Sequence, residues 1–159
     1  MSIWFFLNGA LLLWALWNTV QGLAGHSVYY HLLLGLLGFL LFIFNWTRNA
    51  VFATIRSTGD RAVKIRLARM SKKIMPWHRW VGTLSCILIV LHGAAVFHLY
   101  GFNPGSMKML TGLLATVNLL ALVLSGWYSL LIRHNLRTRR LHFGLGLTMF
   151  ILTAMHLFF

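Results

Sequence analysis

Acidic side chains and cysteine are almost absent from this chain. Of its 159 residues only Asp60 is acidic, whereas fourteen are Lys or Arg, so the formal net charge is +13. The single cysteine, Cys86, excludes a disulfide framework and a Cys-x-x-Cys-His haem attachment site, and we expect it to be an inert core residue. Because the apolar segments contain no carboxylate, a proton-pumping or divalent-cation path is disfavoured.

Charged residues of any kind are scarce. Apolar residues make up 59% of the chain and charged residues 9%, which is more apolar surface than a soluble domain of this length can bury. The basic residues form two clusters, nine between Arg48 and Arg79 and four between Arg133 and Arg140, rather than a continuous face. This placement predicts an integral membrane protein and excludes nucleic acid as a partner.

The uncharged segments have the length of membrane spans. About 20 apolar residues cross a bilayer, and five such segments occur, so we predict an all-α five-helix bundle in one domain (1–159), with helices at about 3–24, 28–47, 77–100, 107–132 and 141–159. Positive charge marks cytoplasmic loops, so the basic loop 48–76 and the N-terminus are expected inside and the C-terminus outside. The expected host is a bacterial cytoplasmic membrane.

The predicted loop 48–76 contains a basic amphipathic pattern. Its apolar positions fall at i, i+4, i+7 and i+11, namely Val63, Leu67, Met70 and Ile74. Such a helix either lies on the anionic inner leaflet or forms a docking surface for a partner subunit, and the sequence leaves both interpretations open.

Histidine occurs at a repeated spacing in two of the predicted helices. In "WHRWVGTLSCILIVLH", His78 and His92 are fourteen positions apart, which is a rise of about 21 Å and nearly four full turns of an α-helix. His142 and His156 repeat the spacing in helix five, and a glycine follows the first histidine of each pair by four positions, at Gly82 and Gly146. Each glycine leaves a gap on the histidine face against which a flat macrocycle fits.

The topology decides how these histidines pair. Helices three and five run in the same direction, so each membrane level receives one histidine from each helix, as the axial ligation of a haem requires. We therefore predict two b-type haems between helices three and five. Proton relays, metal transport and interfacial histidines remain as alternatives.

Other polar and aromatic residues are secondary candidates. Arg79 is a candidate for the inner haem propionates, although a basic side chain at the membrane interface explains it equally well. The further propionate candidates are Arg133 and Arg137 inside, and Lys108, Tyr100 and Asn103 outside. Phe150 is expected to be core packing, with a position between the haems as the alternative. Interfacial roles are expected for the remaining histidines, His26, His31, His98 and His134.

These residues together resemble a known family. The segment "WHRWVG", the histidine fourteen positions after His78, and the matching pair two helices later resemble the transmembrane core of the ferric reductase and NADPH oxidase superfamily, over about residues 28–159. The resemblance implies that His78 and His142 bind an inner haem and that His92 and His156 bind an outer one. It also implies that the basic loop lies beside a dehydrogenase. Respiratory cytochromes b carry similar pairs on another fold.

The resemblance also implies a function. These 159 residues contain neither the family's sixth helix nor its flavin and NADPH domain, so we expect electrons from a cytosolic flavoprotein or a quinol, and ferric iron, oxygen or a protein as outer acceptor. Two alternatives remain open. One is a superoxide and quinone oxidoreductase with a bound quinone, to which His26, His31, His98 and Lys108 draw an anion. The other is a haem-containing anchor subunit of a larger redox enzyme.

Overall fold

The chain forms five α-helices in a computed structural model that describes residues 2–24, 30–132 and 135–159. No strand occurs in these residues, which confirms the all-α prediction. All five helices are long and apolar enough to cross a membrane. Their bounds are α1 Ile3–Ala24, α2 Tyr30–Ser57, α3 Arg61–Tyr100, α4 Met107–Leu131 and α5 Leu136–Phe158. The start predicted for the second helix, residue 28, lies outside the described residues.

The helices are arranged in a ring that follows chain order. α2 packs along α3, α4 packs along α5, α3 meets α4, and α1 closes the ring by contacting α2 and α5. The core of this ring is apolar and includes Phe42, Trp46, Leu119 and Met149. Many large apolar side chains point outward, such as Leu13, Leu124 and Phe158, each more than 60% exposed. A surface of this kind suits contact with membrane lipid.

Hydrogen bonds at both ends of α1 fix the relative topology. The Ser2 hydroxyl donates to the Ala50 carbonyl at 3.1 Å, so the first turn of α1 lies beside the C-terminal part of α2. Toward its other end, Trp14 Nε1 and Asn18 Nδ2 both donate to the Leu157 carbonyl, at 3.0 and 2.9 Å. The start of α1 and the basic segment after residue 47 therefore lie at one end of the bundle, and the end of α5 lies at the other.

The segment 48–76 is almost entirely helical, whereas we expected a loop. α2 continues to Ser57, α3 begins at Arg61, and only 58–60 separate them. Lys and Arg are good helix formers, so the helices continue beyond the apolar segments. Asp60 ends this gap as the N-cap of α3, where its carboxylate accepts from Ala62 N at 2.8 Å. We call 48–76 the basic hairpin.

The basic hairpin extends beyond the part of the bundle that a bilayer can cover. A helix of 40 residues such as α3 is about 60 Å long, twice the roughly 30 Å of a hydrocarbon core. In the predicted amphipathic pattern, Leu67 and Ile74 are half-buried while Val63 and Met70 are exposed. The hairpin is thus a paired projection of α2 and α3 rather than a loop that contains a single helix.

Three of the four residues of the second basic cluster lie in a helix. α5 begins at Leu136, five residues before the predicted start of 141, so Arg137, Arg139 and Arg140 belong to its first two turns. Asn135 and Thr138 form a capping box, in which the Asn135 side chain accepts from Thr138 N at 2.8 Å. This reciprocal cap satisfies the free N–H groups at the helix start and explains the earlier beginning.

Candidate functional site

Two pairs of histidines face each other across the interior of the ring. The imidazole centroids of His78 on α3 and His142 on α5 are 6.2 Å apart, with an interplanar angle of 74°. Those of His92 and His156 are 6.3 Å apart, with an angle of 82°. The structure therefore brings together one histidine from each helix at each of two levels, in the combination that the topology predicts.

The separation of the rings fits a single metal ion between them. A metal–imidazole bond is about 2 Å long, and the ring centre lies roughly 1 Å beyond the bonded nitrogen, so two axial ligands place their centroids about 6 Å apart. Edge-to-face aromatic contact occurs at the same separation. The direction of the ring nitrogens therefore decides what the pairs are suited to bind.

His92 and His156 each donate a ring N–H to a neighbouring helix. His92 Nδ1 lies 2.7 Å from the carbonyl oxygen of His31 on α2, and His156 Nδ1 lies 3.0 Å from the carbonyl oxygen of Lys108 on α4. A carbonyl only accepts, so each Nδ1 carries the proton and each Nε2 keeps its lone pair. This is the tautomer and support that metal-binding histidines require.

His142 reaches the same state through a serine. Its Nδ1 lies 2.9 Å from Ser125 Oγ, and the Ser125 hydroxyl donates to the Leu122 carbonyl at 2.7 Å. Because that hydroxyl proton is already donated, the serine oxygen accepts from His142 Nδ1–H. Three of the four histidines thus have a lone pair on Nε2, on the side of the ring opposite the supporting helix.

Three glycines allow the imidazoles to approach these acceptors. A Cβ at Gly35 would lie 2.9 Å from His92 Nδ1, one at Gly112 2.9 Å from His156 Cε1, and one at Gly126 3.3 Å from His142 Cε1. Contacts under 3.0 Å are not tolerated between a Cβ and a fixed neighbour, so a side chain at Gly35 or Gly112 would displace the ring. Sequence reasoning missed these glycines, although Gly112 and Gly126 have the same fourteen-residue spacing as the histidines.

The acceptors and glycines form a repeated arrangement, which we call a seat: an acceptor carbonyl at one position and a glycine four residues later. The three seats are His31 with Gly35, Lys108 with Gly112, and Leu122 with Gly126. The last reaches its histidine through Ser125. Thus α4 provides seats for both histidines of α5, and α2 provides one for His92 on α3.

A large cavity surrounds the inner pair. It has a volume of about 1100 Å³, lies between α2, α3, α4 and α5, and is bordered by His78, His142 and the basic side chains Arg48, Arg56, Lys72, Arg79 and Arg139. A concave site of this size accommodates an organic cofactor, and its cations suit an anionic one. Of the propionate candidates, Arg79 borders this cavity, while Arg137 is exposed and outside the cavity lining.

Gly82 and Gly146 both border this cavity, but other side chains lie close to them. A Cβ at Gly82 would lie 3.2 Å from Asn45 Nδ2, and one at Gly146 would lie 2.8 Å from the indole of Trp46. Trp46 also stacks on Phe143 and Phe150, with centroids 6.2 and 5.8 Å apart. The flat ring against Gly146 is thus an indole here, and Phe150 belongs to an aromatic cluster between the two histidine levels.

The remaining candidates differ in exposure. His31, expected at the interface, is 6% exposed, and its ring contacts Tyr100 edge-on, with centroids 5.5 Å apart. It is buried because the first turn of α2 packs on the end of α3. His98, Tyr100, Asn103 and Lys108 are exposed. The predictions for His26, Arg133 and His134 lie outside the described residues.

Comparisons with known proteins identify no relative: no family model, curated protein or solved structure matches this chain. In the described parts of the chain, no group of three or more His, Cys, Asp or Glu is arranged to hold a metal ion. A site built from protein ligands alone is therefore not found there. Each level brings two histidines together, His78 with His142 and His92 with His156.

Proposed function

We propose that this protein is a membrane cytochrome that holds two b-type haems between α3 and α5 and transfers electrons across the bilayer. The observation that carries the proposal is the pair of facing imidazoles at each level, three of them with Nδ1 bonded to an acceptor in a flanking helix. Haem would supply reversible one-electron chemistry at each level. A haem held by two histidines would relay electrons rather than activate oxygen.

Each residue class has a defined task in this proposal. His78 and His142 would hold the inner group, and His92 and His156 the outer one, at levels about 21 Å apart along α3. Arg79, Arg48 and Arg139 border the inner cavity and would pair with the propionates, which keeps the anionic edge at the basic end of the bundle. The apolar core would exclude water from the space between the levels.

The donor and acceptor follow from where the levels lie. With the basic hairpin on the cytoplasmic side, the inner level would accept electrons from a cytosolic flavoprotein or a quinol, and the outer level would deliver them to ferric iron, oxygen or a protein. A quinone at the outer level, working with superoxide, is an alternative chemistry for the same scaffold.

A second candidate function is that of an anchor subunit, with electron transfer secondary. It is favoured by the basic hairpin, which carries eight of the fourteen Lys and Arg residues and extends beyond the span. An exposed cationic projection of this kind suits an acidic partner protein, through long-range attraction.

The test is the haem content of the purified protein, measured as the pyridine haemochrome per chain, together with His92→Ala. We expect about two haems b in the parent and about one in the variant. His98→Ala is the matched control, because His98 lies six residues from His92 in the same helix but is exposed. It should keep both haems.

The possible results separate the proposals. A haem-free parent, produced with ample haem supply, would refute the cytochrome. Equal loss in His92→Ala and His98→Ala would refute the assigned ligand. If the parent binds both haems but His92→Ala still transfers electrons across a vesicle membrane at the parent rate, the proposal of electron transfer through the two haems is wrong. The anchor function is then favoured.

A further inference from the structure

The fourth histidine, His78, has no seat of the kind that supports the other three. Its Nδ1 is buried without a hydrogen-bond partner in the described part of the chain. Burying an imidazole N–H unpaired is costly, so an acceptor is expected close by. The seat pattern shows where to look for it.

The two seats on α4 are fourteen residues apart. On α4, Lys108 and Gly112 are followed fourteen positions later by Leu122 and Gly126. On α2, the same step from His31 and Gly35 leads to Asn45 and Asn49. The residue that would supply the carbonyl is thus Asn45, and the position that is glycine in the other three seats is Asn49.

The structure places Asn45 beside His78, and Asn49 lies one turn further along α2. Asn45 Nδ2 donates to the His78 carbonyl at 3.0 Å, which fixes the direction of that amide. Asn45, Asn49 and His78 all border the inner cavity. Asn49 Nδ2 and Asn45 Oδ1 are both buried and unpaired, as is His78 Nδ1. Asn45 already binds the His78 backbone through its Nδ2, which leaves Asn49 as the asparagine whose amide can turn toward the ring.

A side chain at position 49 explains why His78 differs. At Gly35, the matching position, a Cβ would lie 2.9 Å from the ring of His92. In the same register, the Cβ of Asn49 would occupy the corresponding space and would keep the His78 ring from approaching the Asn45 carbonyl as His92 approaches that of His31. The Asn49 amide would then take the place of that carbonyl, once a half-turn about its Cβ–Cγ bond exchanges Oδ1 and Nδ2.

We infer that Asn49 is the positioning residue of His78, with its amide oxygen accepting the Nδ1–H and thereby directing Nε2 toward His142. This inference rests on the proposed haem binding. At the inner level the Nδ1 acceptors would then be side chains, whereas at the outer level they are backbone carbonyls. An acceptor at Nδ1 raises the basicity of Nε2 and stabilises the oxidised iron, so the inner potential depends on residue 49.

The experiment is a redox titration of both haems, followed by optical and electron paramagnetic resonance spectra, in the parent, Asn49→Leu and Asn49→Asp. Asn49→Leu removes the acceptor, so the inner midpoint potential should rise. Asn49→Asp offers a stronger acceptor, so the inner potential should fall. The outer haem is the internal control in each sample and should keep its potential, because its seats lie at His31 and Lys108.

Asn49→Gly is the rescue variant, because it opens the seat and allows His78 to bond the Asn45 carbonyl. Its inner potential should lie close to that of the parent. The role of Asn49 would be overturned if Asn49→Leu and Asn49→Asp both bind two haems and both keep the inner potential of the parent. It would also be overturned if the inner potential shifts in the same direction in both variants. Loss of the inner haem in Asn49→Leu, with its retention in Asn49→Asp, supports the role. A parent without haem would instead refute the proposed function.

Discussion

At the residue scale, the four paired histidines could be predicted because the fourteen-residue spacing of each pair lies within a single helix. The seats could not be predicted in the same way, because a hydrogen bond from His92 to His31 depends on which helices are neighbours and at what depth. The structure supplies that information through the packing of α2 on α3. Gly112 and Gly126 were a usable signal for the seats. They have the same fourteen-residue spacing as the histidines, and equal spacings on different helices suggest that the residues lie at the same levels.

The glycine seats lead to a prediction for Gly112. A side chain there would lie within 3.1 Å of two ring atoms of His156, so Gly112→Val should displace the imidazole from the outer site. Loss of such support costs about 10- to 100-fold in affinity. We expect about one haem per chain, measured as the pyridine haemochrome.

The matched control for this prediction is Gly144→Val. Gly144 also lies in a helix, yet a Cβ there would meet nothing within 4 Å, and the loss of helix propensity is the same. This variant should keep close to two haems. Similar haem loss in both variants would mean that helix stability, rather than contact with His156, accounts for the effect.

At the scale of the elements, the apolar segments located the helices but not their ends. Hydropathy falls where the charged residues begin, whereas a helix ends where its backbone or caps require it. In α2 and α3 that place is Thr58-Gly59-Asp60, and in α5 it is Asn135. Cap residues were the signal to use for these bounds, since Lys and Arg do not interrupt a helix.

Asp60, the chain's only acidic residue, has its role at this scale. Its carboxylate accepts from Ala62 N and Val63 N, at 2.8 and 3.3 Å. Asp60→Ala should cost about 1 kcal/mol at the start of α3. Hydrogen exchange of the amides at 62–66 should become faster, as measured by mass spectrometry of the protein in detergent.

Asn is a good N-cap, so Asp60→Asn should keep the slow exchange of the parent. Comparison of Asp60→Asn with Asp60→Ala therefore distinguishes the effect of the N-cap hydrogen bond from the effect of the negative charge. If exchange at 62–66 is as fast in Asp60→Asn as in Asp60→Ala, attraction between the carboxylate and the basic hairpin, and not the cap, protects this turn.

At the scale of the whole molecule, the ring places the basic hairpin and the 101–106 link at opposite ends. The rule of cytoplasmic positive charge then predicts the hairpin inside and the link outside. A membrane-impermeant maleimide, applied to intact cells, should label Phe102→Cys, whereas it should label Gly59→Cys only after permeabilisation. Both positions are exposed.

The parent protein is the control for this labelling, because its one cysteine, Cys86, is 6% exposed and should not react. Labelling of both introduced cysteines from the same side would contradict the fold. Labelling of Gly59→Cys alone in intact cells would leave the fold unchanged and reverse the orientation.

The pairing of supporting and ligand helices also affects how the protein is synthesised. α2 with α3, and α4 with α5, are two successive hairpins, and each provides one histidine at each level. A nascent chain that has inserted only the first hairpin holds His92 in its seat but lacks His156 to face it. Neither level is complete until the second hairpin has entered the membrane and docked, so cofactor capture would come last in biogenesis and would report that both halves have assembled.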